Sequence, residues 1–312
     1  MRLRWALALA AIAISASTVA PVAATATPPP YVTILFSRAQ WSVQESCKTP
    51  AGAVTLKQVA DELQARGWIG TGSVVTGRIN TTTMKCMSAA LYPTWPMLEQ
   101  LHADDGWEAT SHSATYAKLT SLTRTQQFTE SCGTLSTFEQ HGFDRAWGMF
   151  SYPDSQLSSE IQTDVVSTCF AYARRYSPDP NGVGSMRAPW WAHVRPVNGG
   201  ACNLSGAACY SIDTNYRYVD PGAIADYVRV TAGQWAVPQF HKLVSGSKLA
   251  GVVRWDCSST DWRLHFTNRT EVYCWNDYHR VLNAIPDAAI VTDPATVARS
   301  WNSNPAVLAL YP

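Results

Sequence analysis

Residues 106–120 read GWEATSHSATYAKLT. The run Trp107-Glu108-Ala109-Thr110 has β character and ends in Ser111-His112, so an imidazole stands at the tip of a strand. Tyr116 follows four residues later. Four residues on is the spacing that would bring a second ligand back to an ion held by His112, and a phenol stands there instead. The stretch reads as a metal-binding pattern with one ligand missing. Whether the chain is an enzyme turns on that loss.

These side chains need strands to carry them. YVTILF (31–36) is a short apolar run rich in β-branched residues and predicts a buried strand. TLKQVADELQARGW (55–68) has helical spacing, with Gly67 as a stop. A strand is expected over 71–77, a helix over 93–107 and a strand over 107–112. One long helix is expected over 123–143, a strand over 146–153 and a helix over 158–169. Strand and helix thus alternate from about residue 31 to 180, which argues for a parallel sheet, open or closed into a barrel. In such folds the chemistry sits at the C-terminal ends of the strands. Residues 178–221 are rich in Gly, Pro and Asn and read as a long disulfide-pinned insertion. TAGQWAVPQFHKLV (231–244) returns to strand character, and 276–293 to helix and then strand. No internal repeat is evident.

The composition allows a large core, with 46% apolar and 15% charged residues. A net charge of +1 gives no bulk field to recruit nucleic acid or an anionic membrane. Thirteen Trp and thirteen Tyr serve as core packing or as platforms for sugar rings. Arg2 and Arg4 precede the short apolar run WALALAAIAISA, and small residues follow, which is the pattern of a cleaved secretory signal over residues 1–26. A single domain over 27–312 is expected beyond it, in a secreted monomer without a membrane span. Eight cysteines, all past the signal, imply up to four disulfides. Cys202/Cys209 and Cys257/Cys274 bracket short loops and are the first pairs expected; Cys47/Cys86 and Cys132/Cys169 follow.

The order of motifs resembles the polysaccharide deacetylase (NodB-like) family over roughly residues 31–300. GWEATSHSATYAKLT is similar to the family's segment in which a strand ends in His and a second His follows four residues later. RGWIGTGSVVTGRI looks like its second strand, and MFSYPD (149–154) like a later strand end, which places Tyr152 as a substrate-binding residue. WAVPQFHKLV resembles the late strand with a catalytic histidine and so assigns that role to His241. The resemblance implies an α/β fold, a distorted (β/α) barrel of the polysaccharide deacetylase type. It also implies removal of N- or O-acetyl groups from cell-wall or related glycans. In the family a divalent metal, held by two His and one Asp, polarises the carbonyl and activates water, while a second Asp acts as base.

Against that pattern, VTILFSRA puts Ser37 where the base aspartate belongs and Arg38 where the metal-binding aspartate belongs. His112 keeps the first metal histidine and a catalytic assignment; Tyr116 replaces the second, and Ser151 replaces an arginine. One imidazole does not hold zinc against water, and a guanidinium is never neutral, so Arg38 would repel an ion rather than bind it. No cofactor is expected, unless zinc or another divalent metal is retained with the family's chemistry. Ser37, Arg38, Tyr116 and Tyr152 are then ligand-binding residues for a glycan; a solvated loop charge is the plain alternative for Arg38. His102, Asp104 and Asp105 precede the 107–112 strand, roughly 17 Å long at ~3.3 Å per residue, and so belong at the other end of the sheet. MRAPWW (186–191) comes too late for the family's arginine motif, and RWDCSSTDW (254–262) comes after His241 instead of before it. His193, His265 and His279 show no partner pattern and read as surface residues. Two readings remain: a hydrolase with altered or lost metal chemistry, or a non-catalytic glycan-binding protein.

Overall fold

A computed structural model describes residues 28–37, 42–43, 52–80, 85–87, 90–174, 195–196, 209–213, 220–248, 255–261, 265, 272–302 and 304–311. The expected signal over 1–26, Arg38, His193, the MRAPWW stretch and most of 178–221 lie outside the described residues. So do the side chains of Cys47, Cys86, Cys202 and Cys209.

The main sheet is built from β1 (Tyr31–Val32), β2 (Ile34–Ser37), β3 (Gly70–Val74), β4 (Glu108–Ser111), β5 (Met149–Ser151), β6 (Tyr172–Arg174), β7 (Cys209–Asp213), β8 (Trp235–Phe240) and β9 (Ile290–Val291). Its spatial order is β6-β5-β4-β3-β2-β8-β1-β9, with β7 on β8, and each of these pairings is parallel. Only Arg195–Pro196 runs antiparallel, against β6, among the described strands of this sheet. The expected α/β class with a mostly parallel sheet is therefore present. The sheet curls enough for its two sides to touch: the rings of Tyr172 on β6 and Trp235 on β8 lie 4.8 Å apart.

Local chemistry explains the elements. Thr33 divides the expected 31–36 strand into β1 and β2; its hydroxyl donates to the carbonyl of Thr292 at 2.7 Å and accepts from the Trp235 indole at 3.1 Å. Helix α1 (Leu56–Ala65) begins at a Thr55/Gln58 capping box and buries Leu56, Val59, Ala60 and Leu63, one stripe at helical spacing. Helix α2 (Trp95–Asp105) starts at Thr94 and stops at Gly106, whose φ is 65°. A Cβ on Gly70 would sit 2.3 Å from the Trp107 ring, so glycine lets that indole lie on β3.

The expected helix over 123–143 is two helices, α3 (Arg124–Glu130) and α4 (Thr134–Gln140). Between them Ser131 caps back onto the carbonyl of Gln127 and Cys132 is bonded to Cys169. That covalent tie to the segment before β6 takes over from the helical pattern. The strand expected over 71–77 stops at Val74 and gives way to a single turn, Thr76–Arg78. That expected over 146–153 is Met149–Ser151 alone, and that over 231–244 divides into β8 and Lys242–Val244, with His241 between them. Helix α5 (Trp275–Leu282) then leads to β9. Cys257–Cys274 is formed as expected, and none of the described cysteines is free. No described helix is long and apolar enough to cross a membrane.

Buried carboxyls gather at the N-terminal end of β4. Glu108 is 4% exposed, 3.8 Å from both His102 Nδ1 and Arg145 Nε, and Arg145 also reaches Asp293 at 3.2 Å. Burial first, and the Asp293 charge second, push the Glu108 carboxyl up to about 8 from the ordinary 4.5, despite Arg145. Between those two values the unfolded chain gives up a proton that the folded chain keeps. Stability from this group is thus complete below about pH 4.5 and lost as pH rises through about 8. Glu108→Gln is expected to raise the melting temperature at pH 8, by several kcal/mol of stability at most, with the gain vanishing towards pH 4.5. Thermal melts at both pH values check this; an equal shift at both would refute it.

Candidate functional site

At the opposite ends of the same strands sit polar side chains of a different kind. His112, one residue past β4, donates its backbone amide to the carbonyl of Val74 at 2.8 Å, and its Nδ1 lies 2.8 Å from the carbonyl oxygen of Ser151 at the tip of β5. That oxygen can only accept, so Nδ1 carries the proton and the ring is oriented by β5. Tyr116 packs edge-on to the imidazole, ring centres 4.9 Å apart. Its hydroxyl donates to Asp154 Oδ1 at 3.3 Å, and Lys118 Nζ lies 3.7 Å from the other carboxylate oxygen. The Arg78 guanidinium stacks on the other side of this group, 4.7 Å from the Tyr116 ring centre.

The loop holding these groups is strained. Ser113, Tyr116 and Asp154 have φ values of 70°, 71° and 48°, in the left-handed region that costs a bulky L residue on the order of 1–2 kcal/mol. The Tyr116 amide is held by Ser113 Oγ at 2.8 Å, and Thr115 is clamped through its amide and hydroxyl to the Glu130 carboxylate at 2.8 and 2.7 Å.

A second polar chain crosses the curled sheet. Arg174 ends β6 and is 3% exposed; its guanidinium donates to Gln239 Oε1 on β8. A guanidinium can only donate, which turns the Gln239 amide nitrogen towards His241 Nε2, 3.2 Å away. Nε2 is therefore the nitrogen of His241 without a proton. Arg174 is in register with Ser151, and its carbonyl accepts from the Tyr152 amide at 2.9 Å. One line of contacts thus joins His112, Ser151, Arg174, Gln239 and His241.

Of the residues singled out from sequence, His112 and Tyr116 are in contact, and His241 joins them through Gln239 and Arg174. Ser37 ends β2, 1% exposed and in register with Ser73. Tyr152 is enclosed, 4% exposed, with no hydrogen-bond partner for its hydroxyl among the described residues; burial pushes its phenol up. Arg38 lies outside the described residues. Sequence reading missed Arg78, Asp154, Arg174 and Gln239. Only Arg174 carried a signal, as a charge closing the apolar run FAYA. His102 and Asp105 lie, as expected, at the other end: His102 Nδ1 donates to the carbonyl of Trp107, ahead of β4. His265, expected at the surface, is 4% exposed and bonded to Asp277 at 2.7 Å and to the Ser259 carbonyl at 2.8 Å. Those two acceptors make its burial tolerable.

A divalent ion of the kind implied by the motif order needs two imidazoles and a carboxylate at this rim. His112 has the phenol of Tyr116 beside it, and the Asp154 carboxylate is engaged by Tyr116 and Lys118, so the donors among the described residues do not fit. Among the described residues, one group of three ligand-type side chains lies close enough to share an ion: His265, Cys274 and Asp277. Cys274 is in a disulfide and offers no thiolate, so that set does not fit either.

No known family's sequence profile matches the chain, and no curated protein matches it. Among solved structures it is similar to a polysaccharide deacetylase from Bacillus cereus, with 12% identity, TM-score 0.35, over 45% of this chain and 38% of that one. It is also similar to a family 4 carbohydrate esterase from Streptomyces lividans in complex with acetate, with 13% identity, TM-score 0.36, over 69% and 80% of the two chains. A third likeness is to the carbohydrate-esterase domain of a multidomain xylanase from the hindgut metagenome of Trinervitermes trinervoides, with 10% identity, TM-score 0.34, over 68% and 74%. The match thus spans well under half the length of the Bacillus chain. At TM-scores this low, the likenesses carry no argument about the site.

Gln239→Leu removes the acceptor to which buried Arg174 donates. It is expected to destabilise the fold by about 1–3 kcal/mol in chemical denaturation, more than an apolar swap of similar volume elsewhere on β8. An unchanged midpoint would mean that Gln239 does not anchor the guanidinium.

Proposed function

We propose that the chain is an exported, deacetylase-like protein that binds a cell-wall or related acetylated glycan at this rim, without the metal-dependent hydrolysis of the family its motifs resemble. The observation behind this reading is Tyr116. Where a second imidazole would close the metal set, a phenol stands, and its hydroxyl is committed to Asp154. The Gln239 amide also donates to His241 Nε2, so a proton placed there would face another donor. Acid duty through that nitrogen would require Gln239 to move. Export rests on the leader pattern over 1–26, with which two formed disulfides are compatible.

The buried Arg174 guanidinium two contacts from His241 is the observation behind one competing reading, metal-free hydrolysis, in which a guanidinium steadies an oxyanion and His241, once Gln239 has moved off it, handles the proton. Three measurements on the purified protein separate the two: metal content, acetate release from an acetylated glycan, and retention on chitin or peptidoglycan. Retention that chelator leaves unchanged, without acetate release, is expected. His112→Ala should weaken retention by about tenfold, the loss of one well-placed polar contact. One equivalent of zinc with chelator-sensitive release would overturn the proposal. Chelator-insensitive release abolished by His241→Ala would select the competing reading.

A further inference from the structure

Arg78 has no role in the reading above, yet it is the cation nearest the paired His112 and Tyr116 rings for which the structure gives contacts. It ends the turn Thr76–Arg78 that follows β3 and is half-buried. Its Nη1 donates to the hydroxyl of the buried Tyr92 at 3.1 Å. Its guanidinium carbon lies 4.7 Å from the Tyr116 ring centre and 5.8 Å from that of Tyr92. Two tyrosine faces thus hold the plane of the fork. Arg66, Arg124, Arg145 and Arg229 each face a carboxylate. Arg78 faces none among the described residues.

A half-buried guanidinium without a counter-charge is costly, and stacking on tyrosine offsets only about 1–2 kcal/mol of it. The fork has five N–H groups, and the Tyr92 hydroxyl takes one. The mounting is rigid: Gly77 donates to the carbonyl of Ala114 at 2.8 Å, and a Cβ there would meet that oxygen at 2.7 Å. The turn therefore cannot lift away from the loop that carries Tyr116. A planar fork held against the Tyr116 ring matches a planar carboxylate better than it matches a neutral hydroxyl.

We infer that Arg78 is the specificity-determining residue of this rim and that the glycan it takes carries carboxylates. The inference rests on the glycan-binding reading. The ligand's carboxylate lies on the open edge of the Arg78 fork, and its sugar packs towards Tyr116 and His112.

Titration calorimetry tests it with the full chain and two probes. One is peptidoglycan glycan strands freed of their peptides, whose lactyl groups end in carboxylates. The other is the same strands after reduction of those carboxyls to alcohols. The wild-type protein should bind the carboxylated strands about tenfold more tightly, and Arg78→Gln should erase that preference, whatever it does to the affinity for the reduced strands. Equal wild-type affinity for both strands would overturn the carboxylate assignment and leave glycan binding standing. A preference that survives in Arg78→Gln would overturn the role of Arg78. Binding to neither strand, nor to chitin, would remove the glycan reading itself. If Arg78→Gln does not fold, the wild-type comparison of the two strands and its weakening by salt decide the matter.

Discussion

The pairing of β3 with β4 does not end where the strands end. His112 donates to the carbonyl of Val74 at 2.8 Å, Thr76 to that of Ser113 at 3.3 Å and Gly77 to that of Ala114 at 2.8 Å. Two loops that would otherwise drift apart are zipped amide to carbonyl. The backbone over 113–116 then has little freedom, and Ser113 and Tyr116 are forced to positive φ. Such strain persists only where the surroundings over-determine it. Here they do: Glu130 holds Ala114 through its carbonyl and Thr115 through its carboxylate. His112, Tyr116 and Arg78 owe their mutual placement to this one constraint.

The two ends of the strands hold different polar groups. At the N-terminal end of β4 the buried Glu108 meets His102 and Arg145, and Arg145 also reaches Asp293. At the C-terminal ends stand His112, Tyr116, Arg78 and Arg174, with Glu130 and Asp154 as the carboxylates that hold the loop. In parallel α/β sheets, features of the first end bear on stability and features of the second on function. The Arg145 contacts with Glu108 and Asp293 are accordingly a packing arrangement, although Glu108 has the most perturbed carboxyl among the described residues. A shifted carboxyl points to a site only where a ligand can reach it.

The alternation of elements was legible because periodicity is local. His112 at a strand tip, Tyr116 four residues on and His241 after an apolar run all follow from short-range pattern. The Cys132–Cys169 pair was expected and is formed, but its effect was not legible: the tie to a residue 37 positions away interrupts the helical pattern between α3 and α4. Arg174 and Gln239 escaped notice for the same reason. They stand 65 residues apart, and nothing near either residue announces the other. Arg78 was hidden differently: its significance comes from the fold of the 113–116 loop above it, and positive φ at Ser113 and Tyr116 has no signature in residues that are neither Gly nor Asn. His265 lacked a visible partner because Asp277 belongs to the following helix.

An ion at a strand rim does two things: it activates water, and it crosslinks the strands that supply its ligands. In this chain the second task is carried out by side chains. His112 ties β4 to β5 through the carbonyl of Ser151, the Tyr152 amide ties the end of β5 to β6 through that of Arg174, and Arg174 ties β6 to β8 through Gln239. An ion bound by three protein ligands keeps a coordination position open for water. Hydrogen bonds between side chains and carbonyls supply no such position. A rim crosslinked in this way holds its geometry without an ion, which is what the proposed recognition role requires. Arg78, held against two tyrosines and without a carboxylate among the described residues, is a group at this rim with donors still to give.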